Sequence, residues 1–133
     1  MNRKSKQENN SQKLLTEVEL ELMGILWKLG QGSVTEVLEQ LPSDRKLAYT
    51  SVSTILRILE QKEILSTKKE GRGHIYIPLM TKNDFEVKTL KHVVSKVFDG
   101  TPVALVRQLL NAGNIKDSEW DEIKKLIRDK GEK

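Results

Sequence analysis

The feature that most constrains this chain is a change of period just short of its middle. Up to Lys62-Glu63 the apolar residues recur at helical spacing, and beyond it they fall into two short extended pieces around Glu70-Gly71-Arg72-Gly73. Helical spacing gathers apolar side chains on one face of a helix, whereas neighbouring residues of a strand point to opposite sides. A chain that changes period in this way is expected to build helices first and a hairpin after them.

Each helical segment carries its own start and stop signals. Thr16-Glu17-Val18-Glu19 is a capping box, in which the Thr hydroxyl caps the helix and a Glu three residues on reaches back. Val18, Leu22, Ile25, Leu26 and Leu29 keep the period through Trp27, and Gly30-Gln31-Gly32 ends it. Ser33-Val34-Thr35-Glu36 is a second capping box, opening a short helix with Val34, Val37, Leu38 and Leu41 on one face and Pro42 as its stop. A third segment runs from about Ala48, with Val52, Ile55, Leu56 and Leu59 on one side. Opposite them lie Thr50, Ser53, Thr54, Arg57 and Gln61, with Tyr49 and Ser51 on the flanks. That face offers hydroxyls, an amide and a guanidinium without an acid, the groups that hydrogen-bond base edges and phosphates.

The two extended pieces, Ile64 to Lys69 and His74 to Pro78, read as a β-hairpin with a basic tip of Lys68, Lys69 and Arg72. Three helices followed by such a hairpin is the order of a winged helix-turn-helix, in which the third helix enters the major groove and the hairpin lies along the backbone. Lys46, in the connector before the third helix, belongs to the same candidate DNA surface.

The rest of the chain is helical again. Phe85, Leu90, Val93, Val94, Val97 and Phe98 form an apolar stripe broken at Asp99-Gly100. Thr101-Pro102 reads as a cap with Pro at the first helical position, leading into Val103, Leu105, Val106, Leu109 and Leu110. A last helix from about Ser118 carries Trp120, Ile123, Leu126 and Ile127. Short helices of this kind cannot bury their apolar faces on themselves alone, so a symmetric dimer fitted to a palindromic site is expected. The fold class is therefore mainly α with a small β-hairpin. Residues 1–13 read as a basic disordered tail, 14–80 as a winged-helix DNA-binding domain and 81–133 as a helical dimerisation region.

Charge follows the same division. The first two helices, residues 16–43, set Lys28 against Glu17, Glu19, Glu21, Glu36 and Glu39, whereas residues 44–82 hold eight bases against four acids. The net charge of the 133 residues is +4, with residues 44–82, which hold the proposed reading helix and hairpin, at +4 and residues 1–15 at +3, offset by the −4 of 16–43. There is no Cys, which removes disulfides, thiolate metal sites and cysteine nucleophiles. His74 and His92 lack metal-ligand spacing, and no phosphate loop, nucleophile elbow or metal-binding His-Glu pair occurs. No enzyme, cofactor, metal site or small-molecule ligand is expected. The polar start of the chain has no secretory signal and no run approaches a membrane span, so a cytoplasmic location is expected. A rival reading is a winged helix that docks a protein partner through the polar face of its third helix.

Three stretches carry a resemblance. Leu47-Ala48-Tyr49-Thr50-Ser51-Val52-Ser53-Thr54-Ile55-Leu56-Arg57-Ile58-Leu59, the hairpin Lys69-Glu70-Gly71-Arg72-Gly73-His74-Ile75-Tyr76-Ile77-Pro78, and Phe98-Asp99-Gly100-Thr101-Pro102-Val103-Ala104-Leu105-Val106 closely resemble the penicillinase-repressor family, from about Leu14 to Ile127. That family includes regulators of β-lactamase and methicillin resistance and copper-responsive relatives. The resemblance implies a homodimeric repressor of palindromic operators, with Thr50, Ser51, Ser53, Thr54 and Arg57 facing the operator and Arg72 in the wing. It places dimerisation on the apolar face from Phe85 through Leu90, Val94, Val97, Phe98, Leu105, Val106, Leu109, Trp120, Ile123 and Leu126 to Ile127.

The resemblance also implies a separate membrane receptor-protease that senses β-lactam and cuts the repressor. The family's cut falls at an Asn-Phe or similar bond, which aligns with Gln108-Leu109, and no Asn-Phe occurs in this chain. The copper-responsive branch uses a Cys-rich motif that zero Cys excludes. Glu63 stands where the family usually has Gly closing the reading helix. A non-Gly residue in a left-handed cap costs roughly 1 kcal/mol, so this helix is expected to end differently.

Overall fold

The structure is a computed structural model that describes residues 15–131. The basic stretch 1–13 expected to be disordered lies outside the described residues. Both capping boxes form. The Thr16 hydroxyl accepts from the Glu19 N–H and the Glu19 carboxylate accepts from the Thr16 N–H, opening α1 (Glu17–Leu29). Ser33 and Glu36 make the same reciprocal pair at the start of α2 (Val34–Glu39). Each box satisfies donors that a helix start would otherwise leave without partners. Helix α1 ends at Gly30, whose φ of 88° is a conformation that costs glycine little. Helix α2 stops three residues before Pro42, so Leu41 lies beyond it rather than on it.

Helix α3 (Tyr49–Gln61) begins at Ala48 without a side-chain cap. Its end corrects the expectation for Glu63. The left-handed cap is retained, with Glu63 itself at φ 64°. The Glu63 N–H donates to the Glu60 carbonyl and the Ile64 N–H to the Leu59 carbonyl, the paired bonds of a Schellman motif. Leu59 and Ile64 are both buried, and their hydrophobic contact is the usual companion of that motif. These bonds offset the strain that a Glu pays there.

Strands β1 (Leu65–Glu70) and β2 (Gly73–Pro78) pair antiparallel, with Leu65 opposite Pro78 and Glu70 opposite Gly73. The turn is Gly71-Arg72, with Gly71 at φ 60°. The far edge of β2 is also paired. Gly32 and Tyr76 exchange both backbone hydrogen bonds at 3.0 and 2.8 Å, which ties the hairpin to the turn between α1 and α2.

One core joins these elements. Leu22, Met23 and Leu26 of α1 meet Val37 of α2, Val52, Leu56 and Leu59 of α3, and Ile64, Leu65 and Tyr76 of the hairpin segment. Burying a side chain of this size stabilises by about 1.5–3 kcal/mol before entropy is charged against it. Trp27 closes one side: its indole N–H donates to the Met80 carbonyl at 3.0 Å and its ring meets Phe85 at 5.6 Å between centroids. Glu19 is buried as well, and both its oxygens accept from the Lys62 ammonium at 2.9 Å, joining the start of α1 to the end of α3.

The chain continues in α4 (Lys82–Val97), α5 (Pro102–Ala112) and α6 (Asp117–Gly131). Two compact units meet at residues 90 and 91, within α4. In the second unit, Asp99 and Gly100 both take positive φ, and the Gly100 N–H closes back on the Val94 carbonyl at 2.8 Å. Thr101 occupies the N-cap of α5 ahead of Pro102, but its hydroxyl makes no cap hydrogen bond. Among the described residues of α4, α5 and α6, none is fully buried.

Candidate nucleic-acid interface

The polar face of α3 and the hairpin form two walls of a cleft of about 460 Å³. Tyr49, Ser53 and Arg57 line it from α3, Thr67, Arg72, His74 and Tyr76 from the hairpin, and Ser33 and Thr35 from the start of α2. These residues meet because Tyr49, Ser53 and Arg57 recur every four positions on α3 while Thr67 and Tyr76 stand opposite each other on the hairpin. Of the expected DNA residues, Tyr49, Ser53, Arg57 and Arg72 therefore share one site. Thr50, Ser51 and Thr54 are exposed on α3 outside the cleft lining, Lys46 is exposed in the connector, and Lys68 and Lys69 are exposed on β1.

Glu60 joins the cleft, which the expectation of an acid-free face had left out. Its spacing already held the signal: Ser53, Arg57 and Glu60 stand at i, i+4 and i+7, on one side of a helix. The Glu60 carboxylate accepts from the Thr67 hydroxyl at 2.8 Å. Tyr76 feels the cleft's charges. Its phenol is pushed above the usual tyrosine value by burial first and by the Glu60 carboxylate second, with Arg57 pulling the other way and Tyr49 adding a smaller upward push. His74 is exposed and lines the cleft; its position opposite Lys69 on the ladder puts it there, a pairing that sequence alone left without register.

The expected dimerisation residues divide. Phe85 packs against Trp27 and the first unit's core. Val94, Phe98, Leu105, Trp120 and Ile123 are half-buried, whereas Leu90, Val97, Val106, Leu109, Leu126 and Ile127 are exposed, Ile127 to 67%. Val103 and Leu110 of α5 add to this exposed apolar surface. Gln108 and Leu109 lie exposed within α5.

No helix among the described residues is long and apolar enough to cross a membrane. Residues 15–129 match the model of the penicillinase repressor family. The chain belongs to that family. Its members are DNA-binding transcriptional repressors rather than enzymes. The penicillinase repressor relatives include the methicillin resistance regulatory protein MecI of Mammaliicoccus sciuri, 23% identical over 116 residues covering 87% of this chain and 94% of MecI. The penicillinase repressor of Bacillus licheniformis is 26% identical over 116 residues, covering 86% of this chain and 90% of its own. Among solved structures, the DNA-binding domain of the repressor BlaI is 30% identical and superposes with a TM-score of 0.47, over 53% of this chain and 85% of that one.

Proposed function

We propose that this penicillinase repressor homologue is a homodimeric repressor that places α3 in the major groove of each half of a palindromic operator and lays the hairpin along the adjoining phosphates. The observation that carries the reading is the cleft itself. Arg57 and Ser53 on the reading helix face Arg72 and His74 on the wing, so base-edge donors and phosphate-neutralising groups stand on opposite walls of one site. Lys46, Thr50, Ser51, Thr54, Lys68 and Lys69, all exposed, extend that surface on either side of the cleft.

Residues 14–80 act as the DNA-reading domain and 81–133 as the dimerisation region. The exposed apolar side chains of α4, α5 and α6 supply the self-complementary face. Release from the operator through a membrane sensor-protease would use a bond in α5 near Gln108-Leu109, with a specificity other than Asn-Phe. The location that fits this work is the cytoplasm.

The test is a binding titration on a duplex selected from a random pool by the chain, against a scrambled duplex of equal length. Arg57→Ala is expected to weaken the selected duplex by about 1–3 kcal/mol and the scrambled one little, and Arg72→Ala to weaken both and lower the salt slope by about one. Equal losses on both duplexes for Arg57→Ala contradict its reading role. No binding to either duplex at low salt favours a protein-docking module instead.

A further inference from the structure

A carboxylate in a cleft built for a polyanion calls for a reason. Glu60 sits in the last turn of α3, half-buried, and the acceptor bond it makes is to the Thr67 hydroxyl of β1. The neighbouring cation is committed elsewhere: Lys62 is bound to the buried Glu19. Among the described residues the ion pairs are Lys62 with Glu19 and Arg45 with Glu21, so the Glu60 charge stands uncompensated by a bridge. Yet Glu60 lines the same cleft as Arg57 and Arg72.

The Thr67 bond continues a chain of fixed contacts. Thr67 is paired with Tyr76 across the hairpin, and Tyr76 exchanges backbone bonds with Gly32 in the turn between α1 and α2. Gly32 and Tyr76 hold the outer edge of the wing, and Glu60 with Thr67 holds its inner edge against the reading helix. The hairpin, which has no third full strand to stiffen it, is thus tied at both edges in addition to the core packing of Leu65 and Tyr76.

We propose that Glu60 is a positioning and specificity-determining residue of the DNA site, resting on the DNA-binding reading above. Its bond to Thr67 sets the wing at the angle that lets Arg57 and Arg72 engage one duplex together. Its charge, held in no salt bridge, opposes phosphates that are not held at that angle, so loosely bound DNA is penalised more than the operator.

The two roles separate by substitution. Thr67→Val removes the donor and keeps the charge, Glu60→Gln removes the charge and keeps an acceptor, and Thr67→Ser restores the hydroxyl. Affinities of the full chain are measured on the selected and scrambled duplexes at one low salt concentration, with thermal unfolding of each variant alongside. Thr67→Val is expected to weaken the selected duplex about tenfold while leaving the scrambled one within about twofold, since a bond to a charged group is lost but no phosphate contact is. Glu60→Gln is expected to tighten the scrambled duplex about threefold and leave the selected one within about twofold, because one repulsive charge near the phosphates is gone. Thr67→Ser keeps the wild-type ratio.

Equal changes on both duplexes for Thr67→Val, an unchanged scrambled affinity for Glu60→Gln, or a Ser variant that behaves like Val each overturn the proposal. A wild-type chain that selects no duplex over the scrambled one overturns the DNA reading and this inference with it. Selection that survives every substitution unchanged overturns the inference alone.

Discussion

Residues 15–90 enclose a buried apolar core, whereas among the described residues 91–131 no apolar side chain is fully buried. In the first unit Leu22, Leu26, Leu56 and Leu59 are fully excluded from solvent. In the second, Val97, Val103, Leu126 and Ile127 each expose 60% or more of their surface. Large exposed apolar patches mark where another surface sits. The first unit encloses its own core and carries the cleft, whereas the second presents an apolar face that the proposed dimer would cover.

The contrast can be broken most sharply by truncating one leucine from each unit. The chain has two tryptophans, Trp27 in the first unit and Trp120 in the second, so a Trp120→Phe background leaves a reporter of the first unit alone. Leu56→Ala is expected to cost about 2–5 kcal/mol in denaturant unfolding read by Trp27, through lost transfer energy and a cavity. Leu126→Ala in the same background leaves that transition in place. A shift of similar size for Leu126→Ala would mean that the first unit does not hold itself together.

A smaller effect, of opposite sign, is expected at the end of α3. Glu63→Gly places glycine where φ is already 64° and removes an acidic charge from a helix C-terminus, so it stabilises the first unit by about 1 kcal/mol. Denaturant unfolding of that variant measures it. An unchanged or lowered midpoint would show that the Glu63 side chain contributes something that the backbone strain conceals.

The smallest effect concerns alkaline pH. Burial and Glu60 hold the Tyr76 phenol above its ordinary value of 10.0, so the folded state favours the neutral form. The stability contributed is intact below that value and is lost as pH rises from it through the raised folded value. Tyr76→Phe should flatten this alkaline decline in melting temperature, and a decline of equal steepness in the variant would assign it to other groups.

These differences follow how far apart in sequence the cooperating residues lie. Capping boxes at Thr16 and Ser33, the Gly30 stop and the Gly71-Arg72 turn are local chemistry, and they were legible because every participant lies within four residues of its partner. The apolar stripes of α1 and α3 were equally plain. What stayed hidden depended on distant pairings: Gly32 with Tyr76, Glu19 with Lys62, and Trp27 with Met80 and Phe85. Glu63 kept the left-handed cap because the Leu59–Ile64 contact and two backbone bonds offset its strain, which no local propensity reveals. Of the cleft, the α3 residues and Arg72 could be read from the wheel and the turn. Glu60 followed from the same helical spacing, Thr67 and His74 needed the hairpin register, and the packing of Phe85 on Trp27 needed the tertiary fold.

In the proposed dimer a second copy of the chain covers the apolar face of residues 91–131, while residues 15–90 fold without it. Light scattering of Leu109→Glu against the wild type tests this most directly, since Leu109 lies exposed in the middle of α5. The account predicts a dimeric mass for the wild type and a monomeric mass for the variant, with the Trp27 unfolding transition retained. A variant that stays dimeric, or a wild type that is monomeric, contradicts it.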